Sequence, residues 1–304
     1  MAVDTSITQR SGDTGRIVGK RFDWGRPVRF IILLFFLIVV LIPVYVLLVT
    51  SFKGIGDAQA VRAWDLPQVW TLENWKSAWQ GTPGLPAVAP ALARTALMVV
   101  PAAIISSFLG SMNGFVLARW RFPYSNIVFT LLLFGMFIPY QAVMVPLYRL
   151  VLSMQTTLHL GVGIPSLIVL HVIYGIPITT LIFRNYYESV PQELIEASRV
   201  DGAGMLRTYA WVVLPISIPS FVVVLIWQFT SAWNDYLFAV YFGGNAASQA
   251  PVTVTLNTIA QGSMLANYGA AMAGALLASL PTLIVYIFLG KYFVGGLMSG
   301  SVKG

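Results

Sequence analysis

Six long stretches of this chain contain no Asp, Glu, Lys or Arg: Phe30 to Val49, Thr95 to Ala118, Ser125 to Leu147, Leu160 to Phe183, Trp211 to Trp233 and Ala270 to Gly290. Each is about as long as the roughly 20 residues a helix needs to cross a hydrocarbon core, and charged or polar segments separate them. The pattern predicts six transmembrane helices, with a segment 1–29 before them and a tail 291–304 after them. The first stretch begins too late and runs too long for the apolar core of a cleaved signal, about 7 to 15 residues, so it reads as a retained anchor. Pro43, Pro101, Pro139, Pro146, Pro165, Pro177, Pro215, Pro219 and Pro281 fall inside these stretches. Each removes a backbone donor and favours a kink, which lipid tolerates where neighbouring helices satisfy the freed carbonyls. Gly110 and Gly114 form a GxxxG spacing that permits close helix approach.

Composition agrees with the pattern. Of 304 residues, 57% are apolar and only 10% charged, against about 25% charged in a soluble chain. Mean hydropathy is +0.78. The absence of cysteine excludes a disulfide framework, an iron-sulfur cluster and a cysteine nucleophile, and two histidines leave little for a metal site. The net charge of +7 is spread over membrane flanks rather than gathered into a nucleic-acid patch. Its distribution sets the topology. Arg10, Arg16, Lys20, Arg21, Arg26, Arg29, Arg119, Arg121, Arg184, Arg199, Arg207, Lys291 and Lys303 flank the stretches on one side, against Lys53, Arg62, Lys76, Arg94 and Arg149 on the other. The positive-inside rule therefore places both termini in the cytoplasm.

Two loops on the other side are long. One, about Ser51 to Ala93, carries Trp64, Trp70, Trp75 and Trp79 and reads either as a segment on the membrane surface or as a docking surface. The second, about Asn234 to Gly269, is rich in Gly, Ala, Ser, Thr and Asn and reads as an exposed, adaptable loop.

The cytoplasmic segment Glu188 to Pro215 is patterned as helix, glycine turn and second helix. Ser189 with Gln192 has capping-box spacing, Pro191 suits a first turn, and Glu193 and Glu196 complement the N-terminal dipole. Leu194, Ala197 and Val200 fall on one stripe, and Gly202 and Gly204 permit a reversal. An amphipathic helix outside the membrane lies on the leaflet or fits a partner's groove, and acidic residues disfavour an anionic leaflet.

Glu196-Ala197-Ser198, three residues, Gly202, nine residues, Val212, one residue and Leu214-Pro215 resemble the EAA loop, EAA-x3-G-x9-I-x-LP, of permease subunits from binding-protein-dependent ABC importers. Ser198 and Val212 stand where that family usually has alanine and isoleucine. The tail Gly296 to Gly304 is similar to those of maltose-type sugar permeases. Asn113 to Leu117, Trp120-Arg121-Phe122, Phe134 to Gln141, Phe183 to Tyr187 and Trp233-Asn234-Asp235 are similar to the glucose/mannose branch of that group. The resemblance implies an all-α, six-helix type I permease bundle in a prokaryotic inner membrane, with a cytoplasmic coupling helix. It implies as partners a second permease, two ATP-binding subunits and an extracytoplasmic sugar-binding protein. ATP and Mg would be used by the ATPase, with no cofactor or metal on this chain. Glu196, Ala197, Ser198, Asp201, Gly202, Leu214 and Pro215 would couple to the ATPase, Gly300 to Gly304 would reach toward it, and the stretch around Gly243 to Val254 would probe the binding protein.

The residues agree on energy supply. No GxxxxGK[ST] is present; the nearest string, Gly15 to Lys20, has the wrong spacing. The stretches lack carboxylates for a proton or sodium relay. A sugar path needs amides and aromatic surfaces, for which Asn113, Tyr140, Gln141, His171, Gln228, Trp233 and Asn234 are candidates; each can equally serve as interhelical glue. Asp235 reads as a cap or an ion-pair partner at a helix end. A self-sufficient channel or facilitator is the alternative, but it has no use for a coupling helix. An intramembrane enzyme would need paired acids, a Ser-Lys or Ser-His set or HExxH, and the stretches show none.

Overall fold

The structure, a computed structural model, describes residues 25–54, 56–58, 60–120, 122–158, 161–244, 249–263 and 268–298. In chain order the α-helices are α1 Gly25–Ser51, α2 Glu73–Gln80, α3 Val88–Arg119, α4 Ser125–Phe134, α5 Tyr140–Leu158, α6 Ile164–Ser189, α7 Gln192–Val200, α8 Met205–Thr208, α9 Leu214–Ile216, α10 Ile218–Trp233, α11 Leu237–Phe242, α12 Val252–Ser263 and α13 Gly269–Met298. The chain divides into two compact units, 1–45 and 46–304. Of the first, the described part is the apolar run of α1 up to Tyr45, whose side chains from Phe30 to Ile42 are all exposed. The remaining description concerns the second unit.

Among the described residues, four helices are long and apolar enough to cross a membrane: α1, α3, α6 and α13 over Gly269–Tyr292. The third and fifth expected spans are bent. Ser125–Phe137 and Tyr140–Met154 meet at 97°, and Met205–Ile216 and Ile218–Trp233 at 79°, so the crossings number up to six if each bent pair is one span. The first bend follows from Pro139, which excludes Ile138 from helical backbone; Ile138 is extended at φ −73°, ψ 118°. At the second, Pro215 and Pro219 flank Ser217, whose hydroxyl donates to Leu214 O at 2.8 Å.

The centre of the second unit is the contact of α3 with α6, and Gly110 and Gly114 make it possible. A Cβ on Gly110 would lie 2.1 Å from Thr179 Oγ1, and one on Gly114 would lie 2.8 Å from both Phe183 Cβ and Arg184 N. Two apolar cores form at opposite ends of this pair. One gathers Met98, Leu167, Leu170, Trp233, Phe238, Phe242, Ile259 and Ala273, and the other gathers Phe115, Phe183, Tyr187, Ile195, Tyr209 and Val213.

The segment between Asn234 and Gly269 is not the open loop that its composition predicts. It carries α11 and α12, and Phe238, Phe242, Val252 and Ile259 are buried. Small polar residues there serve helix packing: Thr95 Oγ1 accepts from Val252 N at 2.8 Å, and Thr253 Oγ1 donates to Asp235 O at 2.8 Å. The other long loop is tied down by Lys53, which is 1% exposed. Its Nζ donates to Arg62 O, and Asn74 Nδ2 donates to Lys53 O at 2.6 Å.

Candidate functional site

Two regions hold most of the candidate residues, one at each end of the α3 and α6 pair. The first is the loop between α6 and α10. Pro191 ends α6 by forcing Val190 into extended backbone, φ −69°, ψ 135°. The expected capping box is absent. Ser189 belongs to the last turn of α6 and donates to Tyr186 O at 2.7 Å, while Pro191 itself is the N-cap of α7. Gln192 Nε2 instead donates to Glu196 Oε1 at 3.1 Å.

The nine-residue helix α7 rests on the body of the protein through Ile195 and Ser198, which are buried. Ser198 Oγ donates to Ile195 O at 2.8 Å and lies 3.0 Å from Thr208 Oγ1 on α8. The stripe of Leu194, Ala197 and Val200 therefore points away from the chain's own core, with Val200 88% exposed. Glu196 and Asp201 are exposed beside it. Gly202 ends α7 with φ +76°, a left-handed conformation that glycine adopts without strain. Leu214 packs against the nearby core, and Pro215 is exposed at the start of the second bend.

The second region is a cavity of about 490 Å³ toward the other end of α6. Its polar lining comes from His171 and Tyr174 on α6, Gln228 and Ser231 on α10, and Asn234 with Asp235 just beyond; Tyr140 and Phe238 add aromatic walls. Gln228 is almost fully buried, lies against Gly175 and donates from Nε2 to His171 O at 3.0 Å. Asp235 caps α11, accepting from Ala239 N at 3.2 Å and Phe238 N at 3.5 Å. Its Oδ2 stands 3.7 Å from His171 Nε2, beyond hydrogen-bond length, and that buried nitrogen has no hydrogen-bond partner among the described residues. Phe238 is ringed by Tyr174, Tyr140 and His171 at centroid distances of 5.0, 5.4 and 5.7 Å. The cavity thus combines ring surfaces with an amide pair, a carboxylate and an imidazole. This set suits a neutral ligand with several hydroxyls.

Of the candidates for a sugar path, Tyr140, His171, Gln228 and Asn234 line this cavity. The other three lie elsewhere. Trp233 is buried and donates from Nε1 to Ala278 O at 3.0 Å, which makes it interhelical glue. Gln141 is exposed and Asn113 half-buried, and neither lines the cavity. Tyr174, Ser231 and Phe238 were not among the sequence candidates. Helical spacing was the available signal, since Tyr174 follows His171 and Ser231 follows Gln228 by three residues. The tail 300–304 and residues 245–248 of the proposed probing stretch lie outside the described residues.

Residues 106–298 match the family described as binding-protein-dependent transport system inner membrane component. The chain belongs to that family: it is a multi-pass permease subunit of an ABC importer, not an enzyme. It is 38% identical to the xylose/arabinose import permease of Haloferax volcanii over 66% of this chain and 70% of that one. It is 33% identical to the melibiose/raffinose/stachyose import permease of Bacillus subtilis over 86% of this chain and 91% of that one. A bacterial ABC transporter involved in the import of the acidic polysaccharide alginate has the same fold, with a TM-score of 0.70 at 20% identity, over 88% of this chain and 96% of that chain.

Proposed function

We infer that this chain forms half of the translocation path of an ATP-driven sugar importer and receives force from a cytoplasmic ATPase through α7. The observation that carries this reading is the outward stripe of Leu194, Ala197 and Val200 on a helix already seated by Ile195 and Ser198. A short helix that exposes apolar residues away from its own protein is built to enter a groove on another. Both termini then lie in the cytoplasm, as the Lys and Arg distribution requires. A second permease, two ATP-binding subunits that use ATP and Mg, and an extracytoplasmic binding protein complete the assembly.

The cargo is a sugar. Two relatives are named for import of pentoses or of small galactosides, and the cavity offers amides and aromatic faces of the kind that match sugar hydroxyls and ring faces. Within that class, glucose, mannose or a small glucoside are the first to test, from the resemblance of segments such as Phe134 to Gln141 and Trp233-Asn234-Asp235. The deciding experiment is purification of the tagged chain from its native membrane in mild detergent, with ATPase assays with and without glucose-loaded binding protein. Co-purification of a second permease and a stimulated ATPase is the expected result. A lone or homo-oligomeric chain without ATPase would overturn the reading.

A further inference from the structure

Arg119 is the last residue of α3, and its guanidinium reaches across to the approach of α7. Nε donates to Tyr187 O at 2.8 Å, one terminal nitrogen donates to Tyr187 O at 2.5 Å and to Val190 O, and the other lies 3.4 Å from Gln192 Oε1. The two carbonyls belong to the C-terminal end of α6, where a cation is favoured, and Tyr187 O accepts from Val190 N at 3.2 Å as well as from Arg119. Gln192 is the first residue of α7, and through its Nε2 the chain of bonds continues to Glu196. The neighbouring residue acts on the other end: the Arg199 guanidinium, in the last turn of α7, lies 4.7 Å from the centroid of the Trp120 ring. The last residue of α3 and the residue that follows it therefore hold α7 near both of its ends, and Ile195 and Ser198 hold its middle.

We propose that Arg119 is the positioning residue of the coupling helix, the joint that ties any displacement of α7 to α3 as well as to α6. This rests on the reading of α7 as the helix that meets the ATPase. Without Arg119, α7 would connect to the body chiefly through the extended Val190-Pro191 joint and its short buried face. With it, α3 and α6 receive the motion together, and their glycine-mediated contact lets them carry it as one piece toward the cavity that α6 lines. The planar fork is what the geometry demands, because it donates in fixed directions to two carbonyls and an amide, which a lysine ammonium does not reproduce.

The chain has no cysteine, so single reporters can be introduced without background from this subunit. The assembled complex, in lipid nanodiscs, would carry a nitroxide at Val200→Cys or, separately, a maleimide-reactive Ser231→Cys in the cavity. Arg119→Gln should raise the mobility of the Val200 label. It should also reduce the ATP- and vanadate-dependent change in Ser231 labelling about tenfold, equivalent to about 1.4 kcal/mol of lost coupling. Arg119→Lys should restore only part of each. The proposal requires both changes, and parent behaviour in either readout overturns it. Should Arg119→Gln not be recovered from the membrane, Arg119→Lys and Gln192→Leu decide by the same criteria. The underlying coupling reading fails separately: in the parent, the Val200 label would then be equally mobile with and without the ATP-binding subunit.

Discussion

The Ser111 hydroxyl on α3 lies 2.6 Å from the Tyr187 hydroxyl on α6, in a fully buried site, and 2.9 Å from the Tyr209 hydroxyl that follows the coupling turn. Three segments distant in sequence thus share one polar node inside the core next to α7. Ser111→Ala removes the hydroxyl that the two buried phenols share, at a cost of about 1 kcal/mol. The purified complex should lose a few degrees of thermal stability. Combining Ser111→Ala with Tyr209→Phe should cost less than the two single changes together; strict additivity would show that the three hydroxyls do not act as one network.

Gly202 separates conformation from space. Its φ is +76°, yet among the described residues no atom beyond its chain neighbours lies within 4 Å of where a Cβ would stand. Gly202→Asn, which tolerates the left-handed region, should keep ATP-driven uptake within about twofold, whereas Gly202→Val pays for the backbone strain, about 1–2 kcal/mol. Gly202→Pro should uncouple uptake from hydrolysis with membrane levels intact, because it demands negative φ and deletes the bond from Gly202 N to Arg199 O at 3.0 Å. Normal uptake by the proline variant would dismiss the turn as a coupling element.

The cavity divides the sugar-path candidates. Asn234→Ala and Gln228→Leu each remove an amide from its lining and should slow uptake at saturating binding protein about tenfold, the equivalent of one hydrogen bond of about 1.4 kcal/mol. Gln141→Ala should stay within about twofold, since its side chain is exposed away from the cavity. Trp233→Phe should lower thermal stability rather than transport, because it deletes the bond to Ala278. Equal effects of Gln141→Ala and Asn234→Ala on uptake would dissociate the cavity from the path.

Lys53 organises the loop after α1 by donating to the Arg62 and Ala63 carbonyls from a buried position. Lys53→Met keeps much of the volume but removes the donors, at a cost of about 1–3 kcal/mol for the carbonyls left unpaired. Hydrogen exchange in segment 60–72 should accelerate while α3 and α6 keep their protection. Unchanged exchange in 60–72 would mean that the Trp70 and Phe52 packing holds the loop without Lys53.

The four long apolar helices were legible because each contains a long run without charge, a property of the chain itself. The bends were half legible. Prolines announced kinks, but the angles of 97° and 79° depend on which neighbours accept the broken backbone. Around α7 the stripe of Leu194, Ala197 and Val200 was visible as a period, yet periodicity does not say which face a helix turns inward. Ile195 and Ser198 took the buried side because the aromatic cluster of Phe183, Tyr187 and Tyr209 offered them a seat. The segment after Asn234 misled because small polar residues are common both to loops and to tightly packed helices, and only the partner surface distinguishes the two.

What the sequence determined alone was local and compositional: the membrane as solvent, the four long apolar helices, and the helix-turn-helix spacing from Glu196 to Pro215. These follow from transfer free energy and backbone propensity, which each segment expresses without its neighbours. Tertiary structure decided which polar side chains line a common cavity and which only brace helices: Gln228 lines the cavity while it donates to His171 O, whereas Trp233, five residues on, braces α13 alone. It also decided that Arg119 reaches the entrance of α7. A side chain's partner depends on distances between segments remote along the chain, and close packing of α3 on α6 through Gly110 and Gly114 sets those distances.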